Sequence, residues 1–327
     1  CHRHRRRRCC HRRRRRWCSR RSAMLAEALQ ASLSTAERSY IVTGCGENLR
    51  EDGRSRSQLR PMTVENEVLP RCNGSARVQV GYGSTDVLVG VKLEVGAPSA
   101  ATPGEGRIEV GVEVSPACGP RVDERRLGDL GELLSQRLAG LVASRGGGLP
   151  ARELCIIPGK YCWVVGVDVV VLAADGGVLD AASMGLYVAL SSSRVPRVDL
   201  VAGRDGKPDE FELSPDYGEA QRLPVGDLPV VLSFCQVGGA LLLDATAREE
   251  RCADCMLSVA VDARGGVRGV SKTGGGKLAG ESLAAAAEAA AEVSREVFGH
   301  LQEHVRRMQE ADDAHPDAAP ERAGMLL

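Results

Sequence analysis

Residues 162–193 read CWVVGVDVVVLAADGGVLDAASMGLYVALSSS, and this stretch constrains the fold more than any other. Its first part is a continuous apolar run that reads as a strand and stops at Asp175-Gly176-Gly177. The part that follows is apolar around most of its circumference and reads as a buried helix. A strand and helix of this kind belong at the centre of a core, so the rest of the chain must supply layers to cover them.

Those layers are legible on both sides. SLSTAERSYIV predicts a short helix with Ser34 or Thr35 as N-cap. ARVQVGYGSTDVLVGVKLEV reads as two β-rich runs joined by a Gly-containing turn, and GRIEVGVEVS adds an alternating strand. Between 127 and 144, Leu130, Leu133, Leu134, Leu138, Leu141 and Val142 recur at helical spacing. The second half repeats the theme, with hairpins turning at Gly238-Gly239 and Gly265-Gly266. A long helix follows, with Val293, Val297, Leu301 and Val305 on one stripe. Strands, helix, strand, helix, then strands and a helix make an α+β domain over 24–308, and the polar segment 309–327 reads as a disordered tail.

The formal net charge of zero conceals two different regions. Residues 1–23 hold twelve Arg and no acid, and the first Met is Met24. We read this segment as disordered or as translated upstream sequence and leave it out of the fold. A basic RNA-binding arm and a nuclear address are the other readings. Without it the body carries 31 basic and 43 acidic side chains, so it repels phosphate except where a local basic patch exists. Eight cysteines remain in the body, scattered and several inside apolar runs, and they read as buried thiols. Cys252-Ala-Asp-Cys255 is a lone CxxC with neither a second pair nor a nearby His, so no metal is expected there. No histidine occurs between Met24 and Gly299, which excludes His-based triads and metal sites from most of the body. His300 and His304 are four apart on the long helix, and the spacing reads as a solvated helix face before it reads as a metal grip. No uninterrupted apolar window of about 18 residues predicts a membrane span. KTGGGK at 272–277 ends a hairpin and lacks the following Ser or Thr of a phosphate loop.

Five segments together carry a resemblance: ENLREDGRSRSQLRP (47–61), GSARVQVGYGSTDVLVGVKLEVG (74–96), the 162–190 stretch, RVPRV (194–198) and KTGGGKL (272–278). In this order and spacing they resemble the RNase PH family, and within it the ring subunits of the eukaryotic RNA exosome. The resemblance covers about residues 34 to 305, and the turn in GYGSTD looks two residues longer than usual. It implies an RNase PH-like domain (the ribosomal protein S5 domain 2-like fold) made of two similar βαβα-type halves. It implies a hetero-hexameric ring of such domains around an RNA channel, a dimer partner resembling messenger RNA transport protein 3, cap subunits of OB/KH type, and RNA as ligand. It also implies residence in nucleus, nucleolus and cytoplasm, and no cofactor.

Active members of that family remove 3′ nucleotides by phosphorolysis, which needs a phosphate cradle, arginines and an acid near the leaving oxygen. By the same resemblance, the cradle Arg of the 127–143 helix falls at Gln136. The Thr-Arg-Thr after Asp-Gly-Gly becomes Val178, Leu179 and Asp180, an apolar pair and a charge expected to repel phosphate. The two catalytic aspartates fall at Glu250 and Met256, and a thioether can neither donate a proton nor bind a hard metal. Asp244, Glu249 and Asp254 are expected to lack facing cations. The reading is therefore a non-catalytic ring subunit, with an active phosphate-dependent exoribonuclease using Glu250 or Asp254 as the alternative. Arg121, Arg125 and Arg126, in and beside the loop before the helix, are the candidate RNA contacts, with solvated ion pairs as the other reading. Arg50 and Arg54 are read as structural.

Overall fold

The computed structural model describes residues 33–118, 124–143, 148–202 and 208–314. The first helix, α1 (Thr35–Gly46), starts where its capping box dictates: the Ser34 hydroxyl accepts from the Glu37 N–H while Glu37 reaches back to the Ser34 N–H. The strands β1 (Met62–Asn66), β2 (Gly74–Val80) and β3 (Thr85–Gly96) form an antiparallel meander. The β2–β3 turn at 81–84 carries Tyr82 fully exposed with φ 58°, between two glycines that also have positive φ.

β4 (Arg107–Val114) leads into α2 (Glu124–Val142), and β5 (Cys155–Ile157) precedes β6 (Tyr161–Ala173) and α3 (Val178–Ser192). The sheet order is β1-β2-β3-β6-β4, with β4 parallel to β6 and every other pairing antiparallel. β7 (Arg194–Val195) and β8 (Val198–Ala202) pair with β10 (Gln221–Arg222) and β9 (Pro208–Leu213) as two short ribbons. The second sheet contains β11 (Val230–Val237), β12 (Ala240–Leu243), β13 (Cys255–Val261) and β14 (Val267–Thr273), in the order β12-β11-β13-β14. The short helix α4 (Ala247–Cys252) joins β12 to β13, and α5 (Gly280–Ala314) closes the chain. Each half thus runs strands, helix, strands, helix.

The strand at 162–173 is central but not buried on both faces. Val165, Val167, Val169 and Val171 point into the core, whereas Asp168 and Leu172 lie on the exposed face. The helix after it is buried as expected, and it packs on β2, β3 and β11, so it fuses the two sheets into one core. In α2, Leu130, Leu134, Leu138 and Val142 form the buried stripe. The helix α5 runs to Ala314, past the expected boundary at 308. Its end is held because Asp312 pairs with Arg194 at 3.2 Å and the Gln309 carbonyl accepts from Arg222. Residues 1–23 and 315–327 lie outside the described residues.

Gly176 shows why the Asp-Gly-Gly turn has its composition. Its φ is +80°, and a Cβ there would lie 2.3 Å from the Ala245 carbonyl oxygen and 2.8 Å from the Ala247 nitrogen. Both obstacles are backbone, so neither can swing away. Gly176→Ala is expected to cost about 1–3 kcal/mol in urea denaturation. Gly275→Ala, which meets nothing within 4 Å, is expected to be close to neutral and serves as the control.

Candidate functional site

The turn between β6 and α3 is fixed from two sides. The Thr85 hydroxyl accepts from the Asp175 N–H at 3.0 Å and donates to the Gly176 carbonyl at 2.8 Å. Arg60 donates to the carbonyls of Asp175 (2.8 Å) and Gly176 (3.1 Å). Gly177 then serves as N-cap of α3 in the left-handed region, with no side chain of its own to cap the helix. Its N–H donates instead to Glu250 Oε1 at 2.9 Å. A carboxylate from α4 thus sits at the positive end of a buried helix.

Beneath this contact lies a second layer of charge. Asp244 has φ 48° and accepts from Arg60 through the backbone N–H (2.8 Å) and the guanidinium (2.6 Å), and from Arg54 Nη1 at 3.2 Å. Its carbonyl accepts from Arg50 Nη2 (2.8 Å) and Arg54 Nη2 (3.1 Å). Arg50 also grips Glu249 in a fork, 2.8 Å from Nε and 2.6 Å from Nη2. The structural reading of Arg50 and Arg54 holds. The expectation that Asp244 and Glu249 lack cations does not, because three arginines 184 to 199 residues upstream are delivered to them by the fold. Arg60, though within the quoted 47–61 segment, was not singled out by sequence reasoning.

A cavity of about 40 Å³ opens beside the Gly177–Glu250 contact, lined by Leu134, Arg137, Val178, Leu179, Ser233, Met256, Ser258 and Thr273 as well. Val178, Leu179, Glu250 and Met256, which the resemblance aligns with active-site positions, therefore line one cavity. Gln136 is not. It is exposed and donates to Glu132 at 3.2 Å, while its neighbour Arg137 turns to the cavity. The helical phase contains the reason: three residues after Leu134 lies close to the buried stripe, whereas two residues after it lies nearly opposite.

Asp180 also departs from expectation. Its carboxyl is buried and faces β11, accepting from the Ser233 N–H (2.7 Å) and hydroxyl (2.6 Å). Burial pushes its pKa up to about 8, with Asp244 and Glu250 adding to the rise and Ser233 opposing it. It is a largely protonated structural acid and not the charge that meets the cavity; Glu250 holds that place. Burial pushes Glu250 up to about 7, against the pull of the Gly177 N–H and Arg60 and with a push from Asp244 and Asp175. Asp254 is exposed and takes part in backbone contacts with Gln236 and Gly276, away from the cavity. Arg125 and Arg126 are exposed in the first turn of α2, neither lines the cavity, and Arg121 lies outside the described residues.

On the other side of Gly177, a cleft of about 880 Å³ runs between β1, α3 and α5, with Arg60, Asp180 and Asp244 at one end and Met62, Met184, Val297, His300 and His304 along its walls. His300 and His304 thus border a cleft and not a plain solvated face, and burial pushes the His304 pKa down. Among the described residues no cluster of His, Cys, Asp or Glu is arranged to hold a metal. Burial raises all eight thiols, Cys45 to about 11, which leaves them poor nucleophiles. No helix among the described residues is long and apolar enough to cross a membrane.

With the fold and site in view, comparison with known proteins defines the class. Residues 58–196 match the 3′ exoribonuclease family, domain 1, and residues 227–293 match its domain 2. The chain belongs to the RNase PH family. Within it, the chain is similar to archaeal proteins called Exosome complex component Rrp42. The Methanocella arvoryzae protein is 32% identical over 251 residues, 77% of this chain and 90% of the relative. The Pyrococcus furiosus protein is 34% identical over 265 residues, 80% and 90% of the two chains. A chain of the Archaeoglobus fulgidus exosome with RNA bound to the active site superposes with a TM-score of 0.70 at 28% identity, covering 81% of this chain and 97% of that one. An archaeal exosome core chain gives 0.67 at 25% identity, over 86% and 99%.

Two predictions follow from the charges. Asp244→Ala leaves two buried guanidinium groups without their carboxylate and is expected to cost about 3–5 kcal/mol in urea denaturation. The second concerns pH. Asp180 and Glu250 have folded pKa values raised above 3.8 and 4.5, so between about pH 5 and 8 the folded chain holds protons that the unfolded chain has released. Their contribution to stability is full below about pH 4, where both states hold the protons, and is lost as pH rises through that window. The urea midpoint is expected to fall from pH 5.5 to 8.5, and Asp180→Asn to flatten the fall; an equal slope in both proteins would refute the assignment.

Proposed function

We propose that this chain is a non-catalytic subunit of an RNA exosome core ring, supporting 3′–5′ RNA processing and degradation, including ribosomal RNA maturation and messenger RNA turnover. The observation that carries the non-catalytic part is the lining of the cavity beside Gly177: the thioether of Met256 stands at the second aligned aspartate position, and apolar Val178 and Leu179 stand at the first two positions of the aligned Thr-Arg-Thr. The ring assignment is supported by similarity across both halves of the fold to proteins named as exosome components. In this reading the neighbours are other RNase PH-like chains, the nearest resembling messenger RNA transport protein 3, with OB/KH-type caps above and RNA in the channel. The locations are nucleus, nucleolus and cytoplasm. Arg125 and Arg126, with Arg121, are the RNA contacts.

A second reading has one observation in its favour. Arg137 lines the cavity and the Glu250 carboxyl titrates near neutrality, so a cation and a proton donor are both present for phosphorolysis. The test uses a tagged chain recovered from cells with whatever it binds. Native mass spectrometry is expected to find several different RNase PH-fold chains and cap proteins in one stoichiometric assembly; a monomer or a ring of identical copies would sink the ring reading. The same material, incubated with RNA and phosphate, is expected to release no nucleoside diphosphate attributable to this chain. Release that Glu250→Gln abolishes would establish the catalytic reading instead.

A further inference from the structure

The short strand β5 brings two thiols together. It pairs antiparallel with the start of β6, and the register sets Cys155 directly opposite Cys162. The Trp163 N–H donates to the Leu154 carbonyl at 2.8 Å, so the ladder bond flanks the cysteine pair and does not lie within it. In such a non-hydrogen-bonded pair the Cα atoms stand about 4.5 Å apart and both side chains leave the same face. That separation lies inside the range a disulfide accepts, roughly 4.4–6.8 Å. On its other side Cys162 is level with Gly96 of β3, which has no side chain to intervene. The irregularity in β5 falls after Cys155, between it and Ile157, and leaves the cysteine rung in place.

The pair also lies where a small oxidant can reach it. Alternation along β6 puts Cys162 on the face of Asp168 and Leu172, opposite the face of Val165 and Val167 that builds the core. Cys162 is fully buried there. Cys155 is half-buried and lines a cleft of about 560 Å³ between β5, β7, β8 and β10. Burial pushes both thiols up, with Cys155 adding to the rise at Cys162 and Arg107 opposing it, so neither is reactive by itself. What the register adds is a second sulfur already in position, which lets one slow oxidation close a ring. Cys45, Cys235 and Cys252 share the small cluster around Ile41, but they come from two helices and a strand and no ladder aligns them.

We propose that Cys155 and Cys162 form a reversible dithiol–disulfide site, oxidised by exchange with a small disulfide such as oxidised glutathione. The half-buried Cys155 loses its proton and attacks one sulfur of oxidised glutathione, and one glutathione leaves as thiolate. Cys162, deprotonated in turn, attacks the Cys155 sulfur of the mixed disulfide, and the second glutathione leaves. The two cysteine protons end on the two glutathione thiolates; the protein loses two electrons and the glutathione disulfide gains them. The product ties β5 to the central strand and fixes one wall of the cleft. The site owes nothing to the ring-subunit reading and stands without it.

Trypsin gives a direct readout, because it cuts after Arg152, Lys160 and Arg194 and so parts the two cysteines. The full tagged chain is recovered with its partners, reduced, incubated with oxidised glutathione, trapped with N-ethylmaleimide in denaturant, and digested without reductant. The expected product is peptide 153–160 joined to peptide 161–194, in roughly tenfold excess over any other cysteine pairing. Excess reduced glutathione is expected to return it to two separate alkylated peptides. Oxidation in urea is expected to scatter the links among the body cysteines, which shows that the fold selects this pair. Cys155→Ser is expected to abolish the link and leave Cys162 alkylated. Recovery of the two peptides unlinked from the folded wild type, both alkylated or with glutathione held on Cys155 alone, overturns the proposal. A dominant link from either cysteine to a third one overturns it as well.

Discussion

The site depends on the pairing of Asp244 with Arg54 and Arg60. Asp244 lies just past the end of β12 with a left-handed backbone, a conformation Asp tolerates better than most residues, and its carboxylate and carbonyl both face inward. Arg60 joins this carboxylate to the carbonyls of the Asp175-Gly176 turn. One guanidinium therefore fixes the relation between the N-terminal segment, the exit of the first sheet and the exit of the second. The direction in which α3 starts, and with it the cavity, follows from that relation. The network is all or nothing in character. Each ion is desolvated, so removing one partner leaves the others uncompensated in a medium of low dielectric.

Such a centre explains what the sequence could and could not convey. Local signals were sufficient for the capping box at Ser34, for the glycine turns, and for the stripe of α2, because each is settled within a few residues. The 162–193 stretch announced a central strand and buried helix, but the exposed face of β6 was hidden, since valines at half-exposed positions look like valines in a core. The cations facing Asp244 and Glu249 were not legible at all. Arg50, Arg54 and Arg60 are nearly two hundred residues away, and nothing in their local spacing names a partner. Arg137 was legible in principle. Helical phase from Leu134 and Leu138 points to it, and the family register pointed one residue away, to Gln136.

Charge has to be judged locally for the same reason. The body of the chain carries more acids than bases, yet several acids are neutralised where they stand: Asp244 and Glu249 by arginines, Asp180 by holding its proton. Counting formal charges overstates the repulsion an approaching phosphodiester would meet at the second sheet. It also misplaces it. The residue expected to repel phosphate was Asp180, which faces Ser233, and the carboxylate at the helix end is Glu250.

That exchange sets what the cavity can hold. The N-terminus of a helix exposes N–H groups that favour an anion. A carboxylate anchored on α4, itself capped by Thr246 and Glu249, competes with free phosphate as an intramolecular ligand, at an effective concentration set by the fold and not by the solution. Burial already pushes Glu250 up to about 7, so the charge at the helix end fades as the carboxyl takes up a proton near neutral pH. Even then Val178, Leu179 and Met256 would surround the phosphate with carbon and sulfur where charge compensation is required. Arg137 is the one cation among the described residues that line the cavity.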